Sequence, residues 1–203
     1  AAVNLLVGQR PLLALIAADL ETLLVTESAS QAAFLLRSIG PASVPRLLNA
    51  LRDENAPIEP IAEALAGIGR PAVGPIAEAL KAPEPRARRG AALALGKMRP
   101  LLPESVGRLA DGLGDPVVEV RISFLDALGL LGPRALDAGP AVRDRLRDES
   151  PAVRGRAVEV LALAAPRDDR LPGDAAALLD DPAPDVRRRA IEALGALGPR
   201  GRK

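Results

Sequence analysis

A short pattern recurs in this sequence at a fixed step, and the step limits what the chain can fold into. Asp115-Pro116-Val117-Val118-Glu119-Val120-Arg121 precedes Ala127-Leu128-Gly129-Leu130-Leu131-Gly132-Pro133. Thirty-three residues later, Asp148-Glu149-Ser150-Pro151-Ala152-Val153-Arg154 precedes Val160-Leu161-Ala162-Leu163-Ala164. After another such step, Asp181-Pro182-Ala183-Pro184-Asp185-Val186-Arg187 precedes Ala193-Leu194-Gly195-Ala196-Leu197-Gly198-Pro199. One step back lie Arg88 and Ala94-Leu95-Gly96-Lys97-Met98. A period of this length marks an array of supersecondary units, each burying its apolar face against the next.

Each unit reads as helical. Val120, Phe124, Ala127, Leu128 and Leu131 fall on one face at about 100° per residue. So do Val153, Ala157, Val160, Leu161, Ala164 and Val186, Ala190, Ala193, Leu194, Leu197. A shorter helix is expected upstream of each, as over Val73–Leu80, Val106–Leu113 and Ala141–Leu146. The last apolar residues of the second helices run Val7, Ile39, Ile68, Met98, Leu131, Ala164, Leu197. All but Met98 and Ala164 are followed by Gly, which predicts a left-handed residue closing the helix, and Pro close behind forbids continuation. No segment alternates with the period of two that a strand needs. The expected fold is all-α, a right-handed α-α superhelix of about six hairpins over 11–40, 41–69, 70–99, 100–132, 133–166 and 167–198. Residues 1–10 read as the end of a preceding repeat or a cap, and 199–203 as a basic tail. A solenoid opening on half a repeat is expected to be a segment of a longer chain.

The unit Asp-Pro-x-x-x-Val-Arg, followed by Ala-Leu-Gly and Gly-Pro, resembles the HEAT-like repeat of the phycobilisome-lyase type, in the ARM/HEAT superhelix class. Its first helix is matched by Ala72-Val73-Gly74-Pro75-Ile76-Ala77-Glu78-Ala79-Leu80. The early units depart from the pattern, with Ile58 where Arg is expected. The resemblance covers residues 11–199 and implies a fold rather than a function, because scaffolds, lyase subunits and enzymes share the repeat. In such repeats the Asp and Arg form a stacking ladder, here Asp115, Arg121, Asp148, Arg154, Asp181 and Arg187, with Arg88 one unit earlier. A phosphate-binding row of Arg is the functional alternative. Second helices of such solenoids line the concave side. There Glu63, Leu93, Asp126, Glu159 and Glu192, one per unit, make a candidate ridge for a basic peptide or protein, with Arg156 and Arg188 beside it. Plain solvation of an exposed face is the other reading.

Composition narrows the chemistry. The chain has no His, Cys, Trp or Tyr, and two Phe. Imidazole catalysis, thiolate nucleophiles, His- or Cys-ligated metals and disulfides are excluded. No metal or other cofactor is expected, and Asp168-Asp169 and Asp180-Asp181 lack a calcium-loop pattern. Carboxylates a repeat apart stand about 10 Å from each other by helix packing, too far to share one bond. Residues 1–100 carry 11 basic and 9 acidic side chains, and residues 101–203 carry 16 and 17. That balance argues against nucleic acid as partner, despite the clusters Arg86, Arg88, Arg89 and Arg187, Arg188, Arg189. No apolar run reaches the ~18–20 residues of a membrane span. Arg outnumbers Lys 24 to 3, a usage expected of a GC-rich bacterial genome. The cytoplasm is the default compartment. The inventory favours a non-catalytic interaction scaffold that binds a protein or peptide. A bilin-lyase-like enzyme subunit is the alternative, and a nucleic-acid-backbone binder comes third.

Overall fold

The computed structural model describes residues 17–100 and 103–198, and every regular element among them is helical. The chain divides into two compact units, residues 1–101 and 102–203. The first holds α1 (Ala17–Leu23), α2 (Ala29–Ile39), α3 (Val44–Ala50), α4 (Ile58–Ile68), α5 (Val73–Ala79) and α6 (Pro85–Lys97). The second holds α7 (Pro103–Asp111), α8 (Val118–Leu131), α9 (Gly139–Asp144), α10 (Pro151–Ala164), α11 (Leu171–Ala177) and α12 (Pro184–Ala196). Consecutive helices pair as antiparallel hairpins, and the longer second helices stack on one another: α2 on α4 on α6, and α8 on α10 on α12. The expected half repeat at 1–10, with Val7, lies outside the described residues, as does the tail 199–203.

Proline and glycine set the helix ends. Pro85, Pro151 and Pro184 open α6, α10 and α12, where a missing N–H costs nothing. The residues before them, Glu84, Ser150 and Ala183, are extended at ψ 119, 122 and 121, as the ring of a following proline requires. At the other end, Gly40, Gly69 and Gly132 take φ of 92, 81 and 54 with ψ of −146, −146 and −133. This corrects the expectation of a left-handed helical residue: φ is positive, but ψ swings the chain into the mirror of the extended region, which glycine alone enters freely. The swing turns each chain directly into a 3-10 turn with proline in its first positions. Ser43 in the first such turn is buried, and its hydroxyl donates to the Leu36 carbonyl at 2.6 Å, satisfying an end group of α2.

The first helices are shorter than the sequence predicted. Leu113 and Leu146 fall in the 3-10 turns Gly112–Gly114 and Arg145–Arg147, which tighten each chain before the loop. Their side chains still reach the core. In the first unit that core is Leu36, Leu47, Ile61, Leu65, Ile76 and Leu95, and in the second Leu109, Phe124, Leu128, Val160, Leu161 and Leu171. Phe124, the bulkiest of the fully buried side chains, lies where a Cβ on Gly112 would stand. Gly112→Ala should therefore lower stability by about 1–3 kcal/mol, since a buried ring has nowhere to retreat. Gly114→Ala, with nothing within 4 Å of its Cβ position, should be neutral or slightly stabilising in the same urea titration.

Candidate functional site

Two sets of polar side chains repeat along the second helices, one at their N-terminal loops and one on their outward faces. In the loops, Arg121 of α8 donates through Nη1 to the carbonyls of its own loop, Asp115 at 2.9 Å and Pro116 at 3.3 Å. Its Nη2 reaches the next hairpin and donates to Asp148 Oδ1 at 2.8 Å and Glu149 Oε1 at 3.2 Å. Arg154 repeats the pattern one unit later. Nη1 donates to the Asp148 and Glu149 carbonyls, while Nε and Nη2 grip Asp181 with two bonds of 2.7 and 2.8 Å. Each aspartate also caps its own loop: Asp115, Asp148 and Asp181 accept from the amides of Val117, Ser150 and Ala183. Arg187 and Arg88 hold their own loop carbonyls, Asp181 and Pro182 for the one, Ala82 and Pro83 for the other.

The arginine–aspartate pairs among these lie largely out of water. Arg121, Asp148 and Asp181 are each buried. A guanidinium fork between a backbone turn and a carboxylate pairs both ions where solvent cannot, and only the buried Nε of Arg121 is left without a hydrogen-bond partner in that fork. Arg121 and Arg154 thus direct these donors to protein acceptors, as the ladder expected from the sequence requires. A cleft of about 390 Å³ opens beside the Arg121–Asp148 pair, lined by Arg145, Arg147 and Glu149 among others.

Two further cross-hairpin pins carry no repeat signature and were missed from sequence. Arg86, read there as part of a basic cluster, donates back to the Asp53 and Ala56 carbonyls in the loop before α4. It joins α4 to α6 where Ile58 replaces the ladder arginine. Arg143 of α9 donates to Asp174 at 2.5 Å and Asp168 at 2.7 Å. Hydrogen bonds from Arg170 hold the Asp168 carboxyl far below its ordinary value, and Arg143 adds to this. The bonds from Arg154 lower Asp181 likewise.

On the outward faces the expected carboxylates carry cations. Glu63 of α4 accepts from Lys97 of α6 at 2.7 Å. Asp126 accepts from Arg156 at 2.7 Å, Arg156 also donates to Glu159 at 2.9 Å, and Glu159 accepts from Arg189 at 2.5 Å. One alternating row therefore crosses α8, α10 and α12. Glu192 accepts from Arg188 at 2.6 Å within α12. The acidic ridge read from sequence is in this structure a row of alternating charge. For Asp126 and Glu159 the cause is register, since each meets an arginine at the facing turn of the next second helix, a little less than one repeat further along the chain. Glycine makes room for the crossing: a Cβ on Gly155 would lie 2.6 Å from Cδ of Arg189.

The row has an apolar flank that sequence reading overlooked. Leu130 and Leu163, one repeat apart, are 48% and 50% exposed. In the first unit, taken by itself, Phe34 of α2 is 43% exposed. Leu93, on α6, is partly exposed. Applying the repeat step to the outward turns would have found the leucine pair. Among the described residues no group of three or more carboxylates could hold a metal ion, and no helix is long and apolar enough to cross a membrane.

Two outcomes follow from the buried pairs. Asp148→Ala should cost about 3 kcal/mol in urea unfolding, because it strands the Arg121 cation, whereas Glu159→Ala should cost under about 1 kcal/mol. Acid should also unfold the chain in a defined direction. Carboxyls lowered in the folded state contribute stability that is complete above the unfolded value, near 4, and lost as pH falls through the folded one. The urea midpoint should hold from about pH 7 to 5 and then drop, less steeply in Asp181→Asn.

The family model for HEAT repeats matches residues 59–129 and 106–195, more than half of the chain. No curated protein matches the sequence. Among solved structures, an engineered protein shares 19% identity at a TM-score of 0.56, covering 99% of this chain and 98% of its own. A designed armadillo repeat protein in complex with the peptide (KR)4 shares 16% at 0.53, covering 88% and 98%. The karyopherin Kap121p bound to the SUMO protease Ulp1p shares 15% at 0.70, covering 93% of this chain and 26% of the karyopherin. All are similar in fold. The all-α hairpins, the repeat register and the family match agree: this chain belongs to the HEAT-repeat family.

Proposed function

We propose that the chain is a non-catalytic scaffold that holds a protein or peptide segment on the outward face of its second helices. The observation that carries this reading is the half-exposed pair Leu130 and Leu163, set one repeat apart beside charges already fixed by the Asp126–Arg156–Glu159–Arg189 row. A leucine left in water at matching positions of neighbouring helices offers a partner two apolar footholds about 10 Å apart, the spacing of packed helices. Charges held by their neighbours lose little side-chain freedom when a partner arrives, so they discriminate between sequences at low entropic cost. In the first unit, Phe34, Leu93 and the Glu63–Lys97 pair offer the same mixture. Solenoids of this fold have been solved holding a (KR)4 peptide and the protease Ulp1p, an analogy of fold that agrees with the reading.

A displayed peptide library panned against the full chain tests it. Selected peptides should lose at least about tenfold in affinity to Leu130→Arg with Leu163→Arg, the effect expected of a removed anchor. Charge reversal at Glu63, Asp126, Glu159 and Glu192 should change which peptides are selected. Glu78→Lys with Arg108→Glu, both exposed on first helices, should change neither result. Selected peptides that respond only to the first-helix pair would overturn the reading.

A further inference from the structure

The cleft beside the Arg121–Asp148 pair holds more charge than the ladder uses. Where the next two hairpins meet, Arg154 grips Asp181 with two bonds. Yet one repeat on, the loops carry Leu178 in place of Arg145, Asp180 in place of Arg147 and Arg147 in place of Gly114. Joining two hairpins thus does not require cations at the positions of Arg145 and Arg147. Gly114 opens the space, with nothing within 4 Å of its Cβ position. The resulting volume of about 390 Å³ lies within the range of small-molecule sites. Two donors on its walls lack acceptors. Arg121 is 6% exposed and Arg145 30%, and the Nε of each is buried without a hydrogen-bond partner. Arg145 otherwise makes only long contacts, to the Leu113 carbonyl at 3.4 Å and to Asp148 at 3.6 Å. Arg147 and Asp144, both exposed, also line the cleft, and their side chains have no partner among the described residues. Glu149 is 81% exposed, and its carboxylate accepts only the 3.2 Å bond from Arg121 among the described residues.

We propose that this cleft binds a free α-amino acid through its two charges, the carboxylate held by Arg145 and Arg147 and the ammonium by Asp144 and Glu149. Charge balance selects this class. Three guanidinium groups and four carboxylates line the cleft, Asp115 and Asp148 being the other two acids. A simple anion would be repelled by the acids, and a simple cation by the arginines. A zwitterion pairs with both sets at once. Its carboxylate also offers acceptors to the Nε donors, which are costly to leave unpaired where water is shut out. A water could serve one such donor, but it gives no role to Arg147 and Asp144, whose charges the ladder leaves unused. The cleft lies in the loops before the second helices, not on their outward faces, so the inference goes beyond the scaffold reading and does not rest on it.

The common α-amino acids, titrated singly into the full chain while its amide NMR signals are followed, test this. The tightest binder should shift the amides of Gly114 and Glu149 and raise the thermal midpoint. Its N-acetyl derivative lacks the ammonium and its amide lacks the carboxylate. Each should bind at least about tenfold more weakly, the scale of one lost charged contact. Arg147→Ala should weaken the free amino acid and leave its amide unaffected. Asp144→Ala should weaken the free amino acid and leave the N-acetyl derivative unaffected. Gly114→Leu, which fills the cleft, should abolish binding, with a urea titration checking that the chain still folds. An N-acetyl derivative or an amide that binds as tightly as the free amino acid would overturn the proposal, the first in favour of an anion site and the second of a cation site. So would the absence of any shift, which would leave the cleft to water.

Discussion

No α-helix among the described residues is longer than fourteen residues, and several first helices have six or seven. Segments this short are marginal in water, because the nucleation of a helix is repaid only over a longer run. Each therefore depends on laying its apolar stripe against a neighbour. The hairpin supplies one neighbour, and the next hairpin supplies the other. Stability in such a chain is built from units and the interfaces between them, and side chains such as Leu65, Leu95, Leu128 and Leu161 act on both at once.

Apolar stacking is tolerant of sliding, and the buried arginines are not. Arg121 and Arg154 each tie a loop to itself with one nitrogen and to the following loop with the other, so that a shift between hairpins would strand an ion in a dry place. Their contribution lies more in fixing register than in net stability, since well-packed apolar groups could do as much for the latter. In the first unit, with Ile58 in place of the arginine, Arg86 reaches backward from the following helix to the same loop. The two units solve one problem with donors of opposite direction.

Register fixed in this way has consequences on the outer surface. Once α10 is held at a set rotation against α8, Arg156 meets Asp126, and Gly129 leaves space for the Arg156 guanidinium as Gly155 does for the Arg189 stem. The outward face becomes an ordered row of paired charge with leucines beside it rather than a field of one sign. In the proposed scaffold, such a face would distinguish partners by the position of its side chains more than by their total charge.

The all-α class and the repeat step were legible in the sequence, while the ends of the first helices were not. The 3.6-residue periodicity around Val120–Leu131 and the Gly and Pro at helix boundaries act through the backbone within a turn or two, so local residues determine them. The aspartate and arginine positions were legible too, because they recur at the fixed repeat step. What the sequence could not state is which arginine meets which acid. Arg154 grips Asp181 of the following loop, Arg156 of the next second helix meets Asp126, and Arg143 finds Asp168 and Asp174 with no repeating pattern to announce it. Those partners lie far apart along the chain, and only the rotation and stacking of whole helices bring them together. By itself the sequence determined the unit and its period. Tertiary packing decided the pairing of charges and the exposure of Leu130 and Leu163, because each depends on what an adjacent hairpin places against it.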